Sequence, residues 1–296
     1  MRWLILVFSG FWFSLAVAAD QFRVTTWNLE WFPSGSPNLA APEIEAERIE
    51  KAAAVLAEIN PDVILLQEIR DSETCEKLAV ALKPEHYQVA VCSAFRDAVG
   101  GTIGRQQVAI LSKKEPLASF AEKWKTFGAV DPPRGFAFAL IRVGTNDVAF
   151  YSVHLKSNLT KGYAQRENQF NILKREIAAE QLIRHVAEIS AKLTNQIEAI
   201  LIGGDFNTHL DNPLFASENT LRLLQKEGFS SGFENVPLQD RITCLGKGRY
   251  PDATFDYVFA RGAKSADSPK ITQAALCDHN PVTYELHLKS GAKGIR

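Results

Sequence analysis

The sequence lacks a large charge excess of either sign. Its 33 lysines and arginines nearly balance 34 aspartates and glutamates, so the formal net charge is only −1. This balance excludes a protein that binds nucleic acid through its bulk charge. Binding of a polyanion would have to use a local group of basic residues, and added salt would weaken it.

Other common signals are also missing. After residue 19, no stretch is apolar enough to cross a bilayer. The middle of the chain has no Pro/Ser-rich linker, charge run or internal repeat, which favours one large domain over two small ones. The four cysteines show neither CxxC nor Cys/His spacing, so no zinc site of those types is expected.

The first nineteen residues have the pattern of a secretory signal peptide. Arg2 supplies a positive charge, residues 3–17 are largely apolar, and small residues over 16–19 suit cleavage before Asp20. An uncleaved membrane anchor is the alternative, although the segment is short for a span. We therefore expect a soluble exported monomer, secreted or periplasmic, without stable membrane association. Its domain would cover residues 20–289, followed by a polar tail over 290–296.

Four cysteines in an exported chain predict two disulfides, for which three pairings exist. We favour Cys75–Cys92 and Cys244–Cys277, because each pair joins neighbouring predicted elements. Buried free thiols are the alternative.

Hydrophobic periodicity and turn residues predict an α/β fold. Helices are expected over 44–59, 72–82, 164–193 and 218–227. Strands are expected over 22–29, 62–67, 87–94, 107–112, 117–124, 136–143, 148–154, 197–202, 254–260 and 282–288. Interspersed helices and runs of consecutive strands favour two mixed sheets that pack face to face with helices outside.

A Gly-Gly-Asp-Phe-Asn segment over 203–207 follows the apolar run 197–202. The two glycines predict a tight turn directly after a buried strand. Asp205 and Asn207 would then lie at the C-terminal end of that strand, where α/β sheets often carry chemistry. Asp and Asn are also ordinary turn residues, so this segment alone is not decisive.

Polar residues stand at the ends of several other predicted strands. Asp256 interrupts an otherwise apolar strand, and burying a lone carboxylate is costly, so we expect a partner from Asp278-His279. Caps, turns or a structural histidine would explain single positions. Their number in one domain favours a functional site made of Asn28, Glu68, His154, Asp205, Asn207, Asp256, Asp278 and His279.

Six short motifs occur in order between about residues 24 and 284. They are Thr26-Trp27-Asn28-Leu29, Leu66-Gln67-Glu68, Val153-His154-Leu155, Gly204-Asp205-Phe206-Asn207, Phe255-Asp256-Tyr257 and Asp278-His279-Asn280-Pro281-Val282. Together they resemble the endonuclease/exonuclease/phosphatase superfamily, the metal-dependent phosphoesterases that include pancreatic-type deoxyribonucleases. The resemblance implies a four-layer α/β sandwich and cleavage of phosphoester bonds.

The resemblance and the side-chain chemistry together suggest a metal site. Glu68 is the expected ligand of Mg²⁺, with Mn²⁺ or Ca²⁺ as other candidates. Asn28 and Asp278 are expected to support it.

The same reasoning suggests catalytic roles. Asp205 would deprotonate the attacking water, and Asn207 would donate a hydrogen bond to the phosphoryl oxygen. His279 would contact the same phosphate while Asp256 holds its ring. His154 is the other expected catalytic histidine, but residues 105–108 lack the glutamate that the deoxyribonuclease branch places beside it. An amide cannot stabilise a charged imidazole as a carboxylate does, so we do not expect a strong general acid.

Basic residues suggest the substrate. By resemblance, Arg70 would approach nucleic acid and Arg134 would touch a substrate phosphate, while Lys156 and Arg166 could hold further phosphates. A solvated charge or a local salt bridge is the alternative for these arginines. We expect an endonuclease for DNA, with RNA as a second candidate. The other hypotheses are a sphingomyelinase-type lipid phosphodiesterase that uses residues 120–127 to reach a bilayer, a phosphatase, and a non-catalytic binding protein.

Overall fold

The computed structural model describes residues 21–97, 101–159, 164–193, 197–248, 250–265 and 267–288. The predicted signal peptide and the predicted polar tail lie outside these residues. Among the helices of the described part, none combines the length and the apolar character that a membrane span needs.

The described residues form helices interspersed with runs of consecutive strands. The helices are α1 (Pro42–Ile59), α2 (Ser72–Ala81), α3 (Ala164–Lys192) and α4 (Thr220–Lys226). The strands are β1 (Gln21–Phe32), β2 (Val63–Ile69), β3 (Gln88–Cys92), β4 (Gln107–Ser112), β5 (Pro116–Lys123), β6 (Gly135–Val143), β7 (Asn146–His154), β8 (Ile197–Asp205), β9 (Asp256–Arg261), β10 (Ala263–Ser265), β11 (Lys270–Ile271) and β12 (Val282–Leu288).

The strands form two mixed sheets. The first sheet has the order β10-β12-β1-β2-β4-β3, with β11 beside β12, and the second has the order β5-β6-β7-β8-β9. β1 and β2 run parallel, as do β7 and β8, whereas their other neighbours are antiparallel. A parallel pair needs a long crossover, which α1 supplies in the first sheet and α3 in the second.

Alternating side chains bury both faces of each sheet. In β2, Leu65 points into the core between the sheets, whereas Leu66 packs with the group that includes Leu56 of α1. In β7, the Phe150 ring meets Phe22 of the first sheet, and the next residue, Tyr151, contacts His185 of α3. The predicted four-layer α/β sandwich is therefore confirmed.

The structure corrects the tight turn that was predicted at Gly203 and Gly204. β8 continues to Asp205, so both glycines lie within the strand. A Cβ on Gly203 would lie 2.4 Å from Cδ1 of Leu65 in the facing sheet, and a Cβ on Gly204 would lie 1.9 Å from the carbonyl oxygen of Val153. Glycine is needed here because neighbouring chain segments approach closely.

The structure also corrects the disulfide prediction, since all four cysteines are free. A hydrogen bond with Cys92, together with burial, holds the pKa of the Cys75 thiol well above its usual range. The Cys277 sulfur lies 3.3 Å from the backbone oxygens of Asn28 and His279. The thiols thus behave as partly or fully buried polar groups with local partners.

Candidate active site

The register of neighbouring strands gathers the predicted side chains at one end of the two sheets. Asn28 of β1 is paired with Gln67 of β2, which places Glu68 beside it. In the second sheet, Asp205 of β8 lies between His154 of β7 and Asp256 of β9. Because the sheets face each other, the two groups meet across the core.

Asp205 is the central contact of this site. Its Oδ2 accepts a hydrogen bond of 2.9 Å from Nδ2 of Asn28, and its Oδ1 accepts one of 2.8 Å from the backbone N–H of Asn207. Only 2% of Asp205 is exposed, and burial raises the pKa of its carboxyl group to about 7. This carboxylate can therefore take up a proton near neutral pH.

Glu68 adopts a left-handed backbone conformation, with φ of 59°. A non-glycine residue there is strained, and such strain tends to occur at functional sites. Its Oε2 accepts a hydrogen bond of 2.9 Å from the backbone N–H of Trp31, and Oε1 lies 3.4 Å from Nδ2 of Asn28. The Asn28 amide thus links Glu68 with Asp205 and fixes both carboxylates.

His279 and Asp256 form the pair expected from the sequence. Nδ1 of His279 lies 2.8 Å from Oδ2 of Asp256, whose side chain is fully buried. Burial alone would favour the neutral ring, but the Asp256 carboxylate outweighs it and raises the pKa of His279 well above its usual value. Trp27 fixes the same residue by donating its indole N–H to the His279 carbonyl oxygen. The ring is therefore held as an imidazolium with Nε2 directed toward Asp205, 3.9 Å away.

His154 differs from His279 in having no carboxylate on its Nδ1. That nitrogen is buried without a hydrogen-bond partner. Nε2 lies 3.6 Å from Oδ2 of Asp205 and 3.8 Å from Oε1 of Glu68. Burial and the nearby charge of Arg134 lower the pKa of His154 well below its usual value, so the ring is neutral. Gln107 does not serve it, because its side chain bonds Ser93 and the backbone of Phe95.

The Arg134 guanidinium lies beside the end of β7. It donates to the carbonyl oxygens of His154 and Leu155 at 3.0 and 2.8 Å. Burial lowers the pKa of Arg134, and the nearby carboxylates of Glu68 and Asp205 oppose that shift. Arg134 thus supports the end of β7 and adds positive charge beside the acidic groups.

The other predicted basic contacts have local partners. Arg70 forms ion pairs with Glu45 and Asp71 at 2.6 and 3.1 Å, which is the local salt bridge that the sequence left open. The Arg166 guanidinium lies over the ring of Phe170 at 5.9 Å.

Lys156 follows the end of β7 and is half-buried. Its ammonium lies 3.1 Å from the carbonyl oxygen of Ser157. Burial lowers its pKa, and Arg134 acts in the same direction. Its carbonyl oxygen accepts from Arg175, which forms a fully buried ion pair with Glu218. Arg175, which the sequence analysis missed, thus connects α3 both with the segment after β7 and with Glu218 just before α4.

Lys247 is another residue that sequence reasoning missed. Its ammonium lies 2.8 Å from Glu30 and 3.1 Å from Oδ2 of Asp278. The cation beside Asp278 is thus a side chain of the same protein, and the role of Asp278 as a metal ligand stays a prediction. The sequence around Lys247 shows no periodic pattern or motif that would have predicted this contact.

The donor set fits a hard divalent cation. Glu68 has both oxygens fixed by N–H donors, and Asn28 joins it to the Asp205 carboxylate, while Glu30 and Asp278 share the Lys247 ammonium. Carboxylate and amide oxygens are the ligands that Mg²⁺ and related ions prefer. Lys247 already balances part of the charge of Glu30 and Asp278.

The chain belongs to the endonuclease/exonuclease/phosphatase family, whose sequence profile matches residues 25–276. Members of this family are divalent-metal-dependent phosphoester hydrolases. No curated protein matches the sequence.

Solved structures agree with this assignment at the level of fold. An endonuclease/exonuclease/phosphatase family protein from Leptotrichia buccalis has a TM-score of 0.62 and 16% identity, covering 90% of this chain and 100% of the other. A Bacteroides vulgatus endonuclease/exonuclease/phosphatase has a TM-score of 0.65 and 17% identity, covering 91% and 99%. TDP2 from Caenorhabditis elegans has a TM-score of 0.59 and 16% identity, covering 90% and 75%. Identities this low show a shared fold and do not identify a substrate.

Proposed function

We propose that this chain is an exported, divalent-metal-dependent phosphodiesterase that cleaves DNA internally, with RNA as a second candidate substrate. The observation that carries the proposal is the position of Asp205. Its Oδ2 is bonded to Asn28 and lies within 4 Å of the Nε2 atoms of both His154 and His279. One carboxylate with a pKa of about 7 thus lies between a neutral and a charged imidazole.

Glu68 would hold the metal ion, with Asn28 and Asp278 in support. A bound Mg²⁺, Mn²⁺ or Ca²⁺ would polarise a phosphoryl oxygen and offset the charge that develops during cleavage. Trp31 and Asn28 fix the Glu68 carboxylate before any ion arrives, so little side-chain freedom is lost on binding.

Asp205 would take the proton of the attacking water. A base works best when its pKa lies near the working pH, because it is then both ionised and a good proton acceptor. Burial puts Asp205 in that range. The Asn28 amide and the Asn207 N–H hold the two oxygens of the carboxylate in a fixed orientation.

His279 would bind the phosphate as an imidazolium. Nδ1 is occupied by Asp256, so Nε2 is the nitrogen left to donate to a phosphoryl oxygen. The Asn207 side-chain amide, whose Nδ2 lies 3.3 Å from the carbonyl oxygen of Leu155, would be a second donor. Neutral His154 would orient the same groups through Nε2 and does not serve as a strong general acid.

Positive charge around the site supports a polyanionic substrate. Arg134 lies behind His154, and Lys156 follows it in the chain. The segment that the sequence offered for lipid contact is only partly packed: 3% of Trp124 is exposed and the Phe120 ring contacts Phe136 and Phe138, whereas 72% of Phe127 is exposed. A sphingomyelin-type substrate is therefore included in the test below.

A substrate panel tests the proposal. The purified chain is incubated with supercoiled plasmid, single-stranded RNA, sphingomyelin vesicles or p-nitrophenyl phosphate, each with Mg²⁺ and with EDTA. We expect plasmid nicking that EDTA abolishes. Cleavage of sphingomyelin alone would refute the nucleic-acid assignment, and EDTA-resistant nicking would refute the metal dependence.

Variants test the roles of the two central residues. Asp205→Asn and His279→Ala should each lower the nicking rate by about 100-fold or more while the chain remains folded. His86→Ala is the matched control, because His86 is an exposed histidine away from the motifs. Activity like that of the wild type in either site variant would rule out the corresponding role.

A further inference from the structure

A thiol lies at the edge of the catalytic group, and neither the family assignment nor the proposed mechanism uses it. The sulfur of Cys244, a carboxylate oxygen of Asp278 and a ring nitrogen of His279 all lie within 4.8 Å of one another. Cys244 is partly exposed, so solutes can reach it. We propose that these three side chains form a zinc site that overlaps the catalytic centre and switches it off.

Backbone contacts hold the three residues in a fixed arrangement. Cys244 forms β-bridges with His279 and with Ala253. Leu245 donates its N–H to the carbonyl oxygen of Asp278 at 2.7 Å, and Asn280 donates to Thr243 at the same distance. The loop that carries the thiol is thus bound on both sides to the segment that carries the other two ligands.

The His279 ring is already oriented as in many zinc sites. Its Nδ1 is bonded to Asp256, and this leaves Nε2 as the ligating nitrogen. A carboxylate on the far nitrogen commonly orients a zinc-bound histidine and increases its basicity. Nε2 lies 4.0 Å from Oδ1 of Asp278, whereas the other oxygen of that carboxylate faces Lys247.

The ligand types select zinc over the catalytic ion. Sulfur and imidazole nitrogen suit Zn²⁺, which accepts three protein ligands with one further position, whereas Mg²⁺ requires oxygen ligands. The fourth position falls to water or to Asp205, whose Oδ2 lies 3.9 Å from Nε2. Binding forms a zinc–sulfur bond, and the Cys244 thiol and a charged His279 ring release their protons to the buffer. No oxidation or reduction is involved.

Zinc on Nε2 removes the nitrogen that would contact the substrate phosphate. The inhibitory consequence therefore rests on the proposed function, whereas zinc binding itself does not. Cys277 provides a matched comparison, because its sulfur lies beside the same segment but contacts two backbone carbonyl oxygens.

Cobalt(II) reports the sulfur ligand without any substrate. The untagged, metal-free chain is titrated with Co²⁺, which gives a near-ultraviolet charge-transfer band only when a thiolate binds it, and Zn²⁺ is then added. We expect the band in the wild type and in Cys277→Ser, its displacement by zinc, and its loss in Cys244→Ser and Cys244→Ala. A band that persists in the Cys244 variants, or is missing from the wild type, overturns the proposal.

Activity supplies the second measurement. Zinc inhibition of Mg²⁺-supported cleavage is recorded for each variant relative to its own zinc-free rate. Cys244→Ser should raise the zinc concentration for half-inhibition by about 10-fold or more, whereas Cys277→Ser should leave it unchanged. Equal zinc sensitivity in the wild type, Cys244→Ser and Cys277→Ser refutes the switch. If no substrate is cleaved, the proposed function fails while the cobalt band still decides the zinc site.

Discussion

Gly203→Ala tests how closely the two sheets must approach to form the site. The new Cβ would lie 2.4 Å from Cδ1 of Leu65 and 3.3 Å from Cγ2 of Val258. Carbon atoms pack best at about 3.5–4.0 Å, so the contact with Leu65 is more than about 1 Å too short. Overpacking of this kind costs about 1–3 kcal/mol of the free energy of unfolding.

A double-mutant cycle identifies the source of that cost. Leu65→Ala alone should destabilise the chain by about 2–5 kcal/mol, because Leu65 is fully buried. In the double variant, the methyl group at position 203 occupies part of the space that Leu65 vacates. The combined loss should therefore be smaller than the sum of the single losses by about 1 kcal/mol or more.

Urea denaturation followed by circular dichroism measures all four proteins of the cycle. Leu66→Ala provides the control, because Leu66 packs on the opposite face of β2 with the residues of α1 and α2. Its effect should add to that of Gly203→Ala. Strict additivity with Leu65→Ala as well would show that sheet approach is not what requires glycine at 203.

Three further predictions follow from buried or paired charges. Asp205 has its pKa raised from 3.8 to about 7, so the folded metal-free protein is favoured while the group is protonated, and this stability is lost as the pH rises through about 7. Asp205→Asn should accordingly stabilise the chain by about 1–3 kcal/mol at pH 8 but not at pH 4, as measured by denaturation in EDTA. Glu218→Gln leaves the fully buried Arg175 without its charge partner and should cost about 3–5 kcal/mol in the same assay; a loss below 1 kcal/mol would contradict this. Lys247→Met removes an ammonium 3.1 Å from Asp278, so calorimetric titration should show tighter Mg²⁺ binding by a few-fold, and weaker binding would refute the competition.

Periodicity predicted the elements well where burial follows a regular repeat. β4 spans the residues predicted for it, and α1 ends at the predicted Ile59 just before Asn60 and Pro61. The short strands β10 and β11 were missed because two or three residues carry no periodic signal. At positions 203 and 204, a glycine pair has the same appearance whether it forms a turn or allows a close approach, so only the three-dimensional contacts distinguish the two.

The sequence predicted those contacts of the site that involve residues at the ends of strands. Asp256 and His279 pair as expected, since a carboxylate in an apolar strand requires a partner. The partner of Arg70 was not predictable, because Glu45 lies 25 residues away on α1. The contacts of Arg175, Cys244 and Lys247 were not predicted for a similar reason, because they join distant segments of the chain.

The ammonium between Glu30 and Asp278 has a consequence for how the enzyme meets its metal. A cluster of carboxylates without a counter-ion would repel itself during folding, yet this chain carries its own tethered counter-ion on Lys247. A divalent cation that binds Asp278 would then displace the Lys247 ammonium from that carboxylate. The polypeptide thus balances these two carboxylates before any divalent cation binds.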